Sequence, residues 1–235
     1  MIAILKRELK SYFNSPLIYI LMSLFLLVSF VFFFMNNIYY GDTSLNYLMS
    51  SVNNIFVFIV PLITMRLFSE EQTQKTDQLL LTSPNSITSI VMGKFLSAFL
   101  VYALMMSLVV IYGIIISVYT TFDVVAFLFL YIAELLIGAA FVSVGLLVSS
   151  VSTSIAMSSL VTFALLIIFY YCEFIPALFG NPEFLVKMFS FFSLSYRFSG
   201  FTMGLLSWDS IIYYLSFAGI FVFLTIRLID KKRWS

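Results

Sequence analysis

The sequence predicts an all-α, polytopic membrane protein, and three observations carry that prediction. The chain has 235 residues, 62% of them hydrophobic and 19% aromatic. Only 10% are charged, against about 25% in a soluble domain. The apolar residues fall in six continuous runs that do not alternate every second position, so lipid-facing strands are disfavoured and helices of about 20 residues are expected.

The elements follow in chain order. Residues 1–15 read as an amphipathic helix, with Ile2, Leu5, Leu9, Tyr12 and Phe13 on one face and Arg7, Lys10 and Asn14 on the other. Such a helix suits the inner membrane interface, its basic face on anionic headgroups, which makes membrane lipid an expected partner. Pro16 turns the chain into the first span, 17–35, which carries no charge. That run is too long for the apolar part of a cleavable signal and is read as a retained span. The second span, 49–68, is the least clean, with Asn53 and Asn54 near its start and Pro61 expected to kink it. The remaining spans are 95–118, 124–148, 155–174 and 211–229.

Six spans put both termini on one side. With the N-terminus inside, Lys6, Arg7, Lys10, Arg66, Lys75, Lys94, Arg227, Lys231, Lys232 and Arg233 are cytoplasmic, and only Lys187 and Arg197 lie outside. Residues 176–209 are then external yet apolar. Gly180, Pro182, Gly200 and Gly204 break this segment into runs 184–192 and 198–206, each too short to cross. Two short re-entrant helices in the outer leaflet fit the pattern; an external cap packed on the span ends fits it too.

Composition also excludes functions. There is no histidine and one cysteine, Cys172, so a disulfide framework, a zinc site and a Cys/His nucleophile pair are ruled out. A net charge of +1 gives no case for nucleic acid. The only Gly-Lys pair is Gly93-Lys94, with Phe95 after it and Thr88 where a P-loop needs its first glycine. No nucleotide cradle is visible, so the chain is expected to bind no cofactor and not to be an enzyme.

The polar stretch "RLFSEEQTQKTDQLLLTSP" lies between the second and third spans. Ser69 with Gln72 fits a capping box. Glu70 and Glu71 suit a helix N-terminus, Glu71 and Lys75 are spaced for an ion pair, and Ser83-Pro84 stops the helix. A helix over about 69–83 is predicted, roughly 20 Å long, and its run Leu79-Leu80-Leu81 calls for lipid, neighbouring spans or a groove on another protein.

This stretch, extended to "MRLFSEEQTQKTDQLLLTSPNSITSIVMGKF", resembles the signature of type 2 ABC-exporter permeases (ABC-2 type), and most nearly those associated with gliding motility and nitrous-oxide reductase maturation. In that group an R-x-F-(S/A)-E-E span end is followed by G-T-x-E-L-L-L-T-x-P and then G-K-F. Arg66, Phe68, Ser69, Glu70, Glu71, Thr76, Leu79, Leu80, Leu81, Thr82, Pro84, Gly93, Lys94 and Phe95 match; Lys75 replaces the usual glycine and Gln78 the usual acid. The resemblance implies a cytoplasmic coupling helix seated in a cleft on a separate ABC ATPase, with Arg66, Phe68, Glu70, Glu71, Lys75, Thr76, Leu79, Leu80, Thr82, Pro84 and Lys94 as the coupling residues. It further implies two ATPase subunits that hold ATP and Mg, a second permease chain in a homodimer or heterodimer, and a bacterial plasma membrane.

Deep in the fourth span, Glu134 shares a helical face with Gly138 and Gly145. An intramembrane carboxylate marks a functional position by default, and small residues let a second helix approach. These three are candidates for the passage or the dimer seam; a protonated acid bridging two helices is the alternative for Glu134. The expected function is ATP-driven export of an amphiphile such as a lipid-linked sugar, peptide or toxin. A membrane scaffold that docks an ATPase without transport and a secondary transporter stand as alternatives.

Overall fold

In the computed structural model the described residues are 1–76, 86–119, 123–180, 182–202, 204 and 207–234. Helix α1, Ile2–Asn14, is followed by α2, Pro16–Phe33, which Pro16 opens at a position where its missing N–H is no loss. The chain continues as a wider π-turn, Phe34–Tyr39, so this span runs past its expected end at 35. Asn37 then closes the connection, its amide donating to the carbonyls of Asp42 (2.7 Å) and Ser44 (2.8 Å).

Helix α3, Asn46–Thr64, is succeeded by turns and by α4, Ser69–Thr73. Next come α5, Ile87–Tyr119, α6, Val124–Val151, and α7, Ile155–Tyr171, which tightens into a 3₁₀ stretch over Cys172–Phe179. Asp123 starts α6, its carboxylate accepting from the amides of Val125 (3.0 Å) and Ala126 (3.1 Å). Two short helices, α8, Glu183–Phe192, and α9, Leu194–Thr202, precede α10, Trp208–Trp234.

Six helices are long and apolar enough to cross a membrane, and no strand occurs among the described residues. The expected spans are all present, with shifted ends. The third is the clearest case: α5 begins at Ile87 rather than 95. Its 33 residues span about 50 Å at 1.5 Å each, well beyond a hydrocarbon core of about 30 Å; its first turns are buried at Ile87, Ile90 and Val91, while Val118 and Tyr119 at its far end are exposed.

Packing follows polarity. The least apolar span, that of α3, is the most enclosed, and its Thr64 hydroxyl is met within the helix by the Val60 carbonyl at 2.9 Å. Phe56 of α3 stacks near Phe25 of α2 (4.9 Å between ring centres) and Tyr102 of α5 (4.3 Å). Helix α6 lies against α3, α5 and α7, and α10 runs along it.

Two expectations about the short helices need correction. The predicted apolar face of α1 is divided: Ile2 and Phe13 are exposed, while Ile4 is buried and Leu9 and Tyr12 pack on the core. The helix has rotated toward α5, where Gly93 admits it; a Cβ there would sit 3.0 Å from Ile4 Cγ2. The second external helix forms at Leu194–Thr202 rather than over 198–206, because the Ser193 hydroxyl accepts from the Tyr196 amide (3.0 Å) and caps it there.

Candidate functional site

The polar segment after α3 is held by three other helices. At its start the amides of Phe68 and Ser69 both donate to the Ser149 hydroxyl of α6, at 2.9 and 3.2 Å. These are N–H groups that a short helix cannot satisfy itself. The expected capping box is therefore absent: Ser69 donates back to the Met65 carbonyl, and the Gln72 amide reaches the Ser150 carbonyl at 2.8 Å. Thr73 donates to the Thr153 carbonyl at 3.0 Å. Lys232, near the end of α10, donates to the same Ser150 carbonyl at 2.7 Å, so both chain ends and α4 meet at one end of the bundle.

Beneath α4 lies an ion network. The Lys94 ammonium is 1% exposed and meets Glu71 at 3.0 Å and Glu8 at 3.2 Å. It also donates to the Leu67 carbonyl and stands 4.9 Å from the centre of the Phe68 ring. Arg7 completes the set from outside, 2.7 Å from Glu8 and 3.0 Å from Glu71. The Glu8 hydrogen bond pushes the Arg7 guanidinium above its ordinary range, against the opposing effect of burial. Nearby, Tyr12 donates to the Ile63 carbonyl at 2.8 Å. Burial pushes that phenol well up, with the Glu8 charge adding to the effect. A network of this kind adds little net stability once desolvation is counted, but it fixes which surfaces meet.

The expected Glu71–Lys75 pair does not form, since Glu71 faces Lys94 and Arg7. Nor does one helix run over 69–83. It stops at Thr73, and Lys75 takes a left-handed conformation, φ 56°, as a helix-ending residue commonly does. A glycine at this position would adopt the same geometry without strain.

The predicted coupling residues thus divide. Phe68 and Lys94 are buried inside the chain. Arg66, Glu70, Glu71 and Thr76 are half-buried; Arg66 donates to the Ser15 hydroxyl at 3.3 Å, and the Thr76 amide to the Glu71 carbonyl at 2.9 Å. Thr73, Gln74 and Lys75 form an exposed tip. Leu79, Leu80, Thr82 and Pro84 lie outside the described residues. Sequence reasoning missed Glu8, Ser149 and Ser150. Glu8 had a signal, as the one acid among Lys6, Arg7 and Lys10; the two serines had none, because a serine pair at a span end is unremarkable.

The second predicted group is elsewhere. Glu134 is fully buried, and the Tyr102 hydroxyl donates to its carbonyl at 2.9 Å and reaches one carboxyl oxygen at 3.5 Å. A Cβ on Gly138 would lie 2.1 Å from Tyr102 Cε1, and one on Gly145 2.1 Å from Thr64 Oγ1. Within the single chain the small-residue face is filled by its own side chains, Tyr102 at Gly138 and Thr64 at Gly145.

Six apolar spans with a polar platform at one end define a multi-pass, α-helical membrane protein. Its sequence matches the family described as ABC-2 family transporter protein over residues 2–226. The chain belongs to that family and is an ABC permease, a membrane subunit of a class that works with an ATPase subunit. A comparison with curated proteins gave no match.

Proposed function

We propose that this chain is the membrane half of an ATP-driven exporter, acting as a dimer of permease chains on two ATPase subunits that hold ATP and Mg. The observation that supports this most is the platform itself. Helix α4 is tied to α1 and α5 through ions, and to α6 through Ser149 and Ser150, and Leu79 and Leu80 follow its exposed tip in the sequence. A segment so braced passes a push from a partner into three helices at once. The charge distribution supports a cytoplasmic position for this end and for both termini, and the resemblance supports a bacterial plasma membrane. The resemblance around Arg66–Pro84 favours the gliding-motility and nitrous-oxide-reductase-maturation permeases as the nearest relatives in the family. ATP-driven closure of the ATPases would move each platform, and the phenylalanine-rich spans suit an amphiphilic cargo.

Co-expression with an ATPase encoded beside it tests the reading. The pair should copurify and hydrolyse ATP, and Leu79→Asp with Leu80→Asp should lower turnover at least about tenfold, as loss of a buried apolar anchor does. Copurification with ATP turnover that drives no cargo movement in sealed vesicles would favour the scaffold instead.

A further inference from the structure

At the end of the bundle opposite α4, Arg197 stands out. Its guanidinium lies against two aromatic rings that meet edge to face, 5.5 Å from the centre of Phe191 and 5.1 Å from that of Tyr213. It takes part in none of the ion pairs among the described residues. Its Nε is buried and has no hydrogen-bond partner among the described residues. The acids of this end pair elsewhere or not at all: Glu173 accepts from the Ser193 hydroxyl at 3.4 Å, Glu183 pairs with Lys187 at 2.6 Å, and exposed Asp209, next to the Ser210 that donates to the Arg197 carbonyl, makes no ion pair with Arg197.

Depth makes this arrangement informative. Tyr213 comes five residues after Trp208, about 7.5 Å along α10, and Trp208 is 71% exposed at the head of that span. Phe192 and Tyr196 are also exposed beside Arg197. Exposed aromatics of this kind mark the membrane–water interface. A cation at that depth faces the headgroup region, where the abundant anions are lipid phosphates.

We propose that Arg197 binds the phosphodiester headgroup of a membrane phospholipid. Stacking on Phe191 and Tyr213 holds the planar guanidinium in place, leaving its donors to a phosphate in the bidentate manner that arginine favours. The exposed rings flank the lipid's glycerol and upper acyl region. The site is independent of the transport reading and holds whichever way the chain is used.

The test uses the full chain in a neutral detergent with dioctanoyl phosphatidylglycerol as probe, bound lipid being counted by native mass spectrometry. Wild type should retain the lipid, and Arg197→Gln should bind it about tenfold more weakly, the loss expected for a charge-assisted pair. Arg197→Lys keeps the charge without the fork and should fall between the two; it also serves if the glutamine variant proves unfolded by thermal melting. Lys187→Gln, an exposed cation already paired, should bind as wild type. Equal binding by wild type and the Arg197 variants overturns the proposal, as does equal retention of phosphate-free dioctanoylglycerol. Displacement by inorganic phosphate at matching concentration would also overturn it, by assigning the site to a free anion.

Discussion

Single residues at this protein's interior act through shape at some positions and through charge at others. Gly138 shows the first. Glycine inside a helix normally costs up to about 1 kcal/mol relative to alanine, so Gly138→Ala should stabilise on propensity alone. Here the added Cβ would lie 2.1 Å from the Tyr102 ring, and that ring is fixed by its hydroxyl at the Glu134 carbonyl and by Phe56. Overpacking costs about 1–3 kcal/mol, so the clash wins. Gly138→Ala should lower stability in thermal or denaturant unfolding, and Tyr102→Leu should recover part of the loss. Lys94 makes the complementary case. Removing one partner from a buried charge cluster costs about 3–5 kcal/mol. Arg7 continues to serve both Glu8 and Glu71, so Lys94→Met should fall near ~3 kcal/mol, read by the same unfolding measurement. Lys94 was legible in the sequence only as a member of a motif. That it is a pin beneath α4 rather than a surface contact depended on Glu8, which is 86 residues away in the chain, and no local pattern could join them.

At the scale of elements, the platform is two short helices held by longer ones. Helix α4 has five residues, too few to persist alone, and it ends at Lys75 in a left-handed turn. That conformation costs a non-glycine residue about 1–2 kcal/mol. Lys75→Gly should therefore slow amide exchange over residues 69–76 by roughly tenfold, the equivalent of about 1.4 kcal/mol. Helix α1 is bound partly through Tyr12, and here pH enters. Burial raises the Tyr12 phenol above its ordinary 10.0 in the folded protein. The neutral phenol is thus favoured by folding, and its contribution is fully present below pH about 10 and declines as pH rises above that value. Wild-type stability should fall in that alkaline window more steeply than that of Tyr12→Phe, which forgoes the hydrogen bond at about 1 kcal/mol but has nothing to ionise. These elements were half visible beforehand. Amphipathic periodicity placed α1, yet its rotation toward Gly93 reflects packing against α5, and the helix over 69–83 failed where a left-handed residue ended it. Propensity reads neither event, because both are set by neighbours distant in sequence.

For the whole molecule, hydropathy was sufficient. Six apolar runs became six spans, since a chain in lipid must satisfy its backbone within each segment; some ends moved outward, as at Ile87, and others inward, as at Thr64. The family match over residues 2–226 agrees with that architecture and with the polar stretch after α3. What hydropathy could not supply was the way α1, α4, α5, α6 and α10 converge on one small platform, with Ser149, Ser150, Glu8 and Lys94 as its joints. The proposed function depends on a foreign ATPase gripping that platform. A photo-activatable crosslinker at Gln74, in the permease co-expressed with its ATPase, measures this directly. An adduct with the ATPase, and none from the same probe at Lys187, is the predicted result; adducts from Gln74 confined to lipid or to the permease itself, in a preparation where the ATPase is bound, would contradict it.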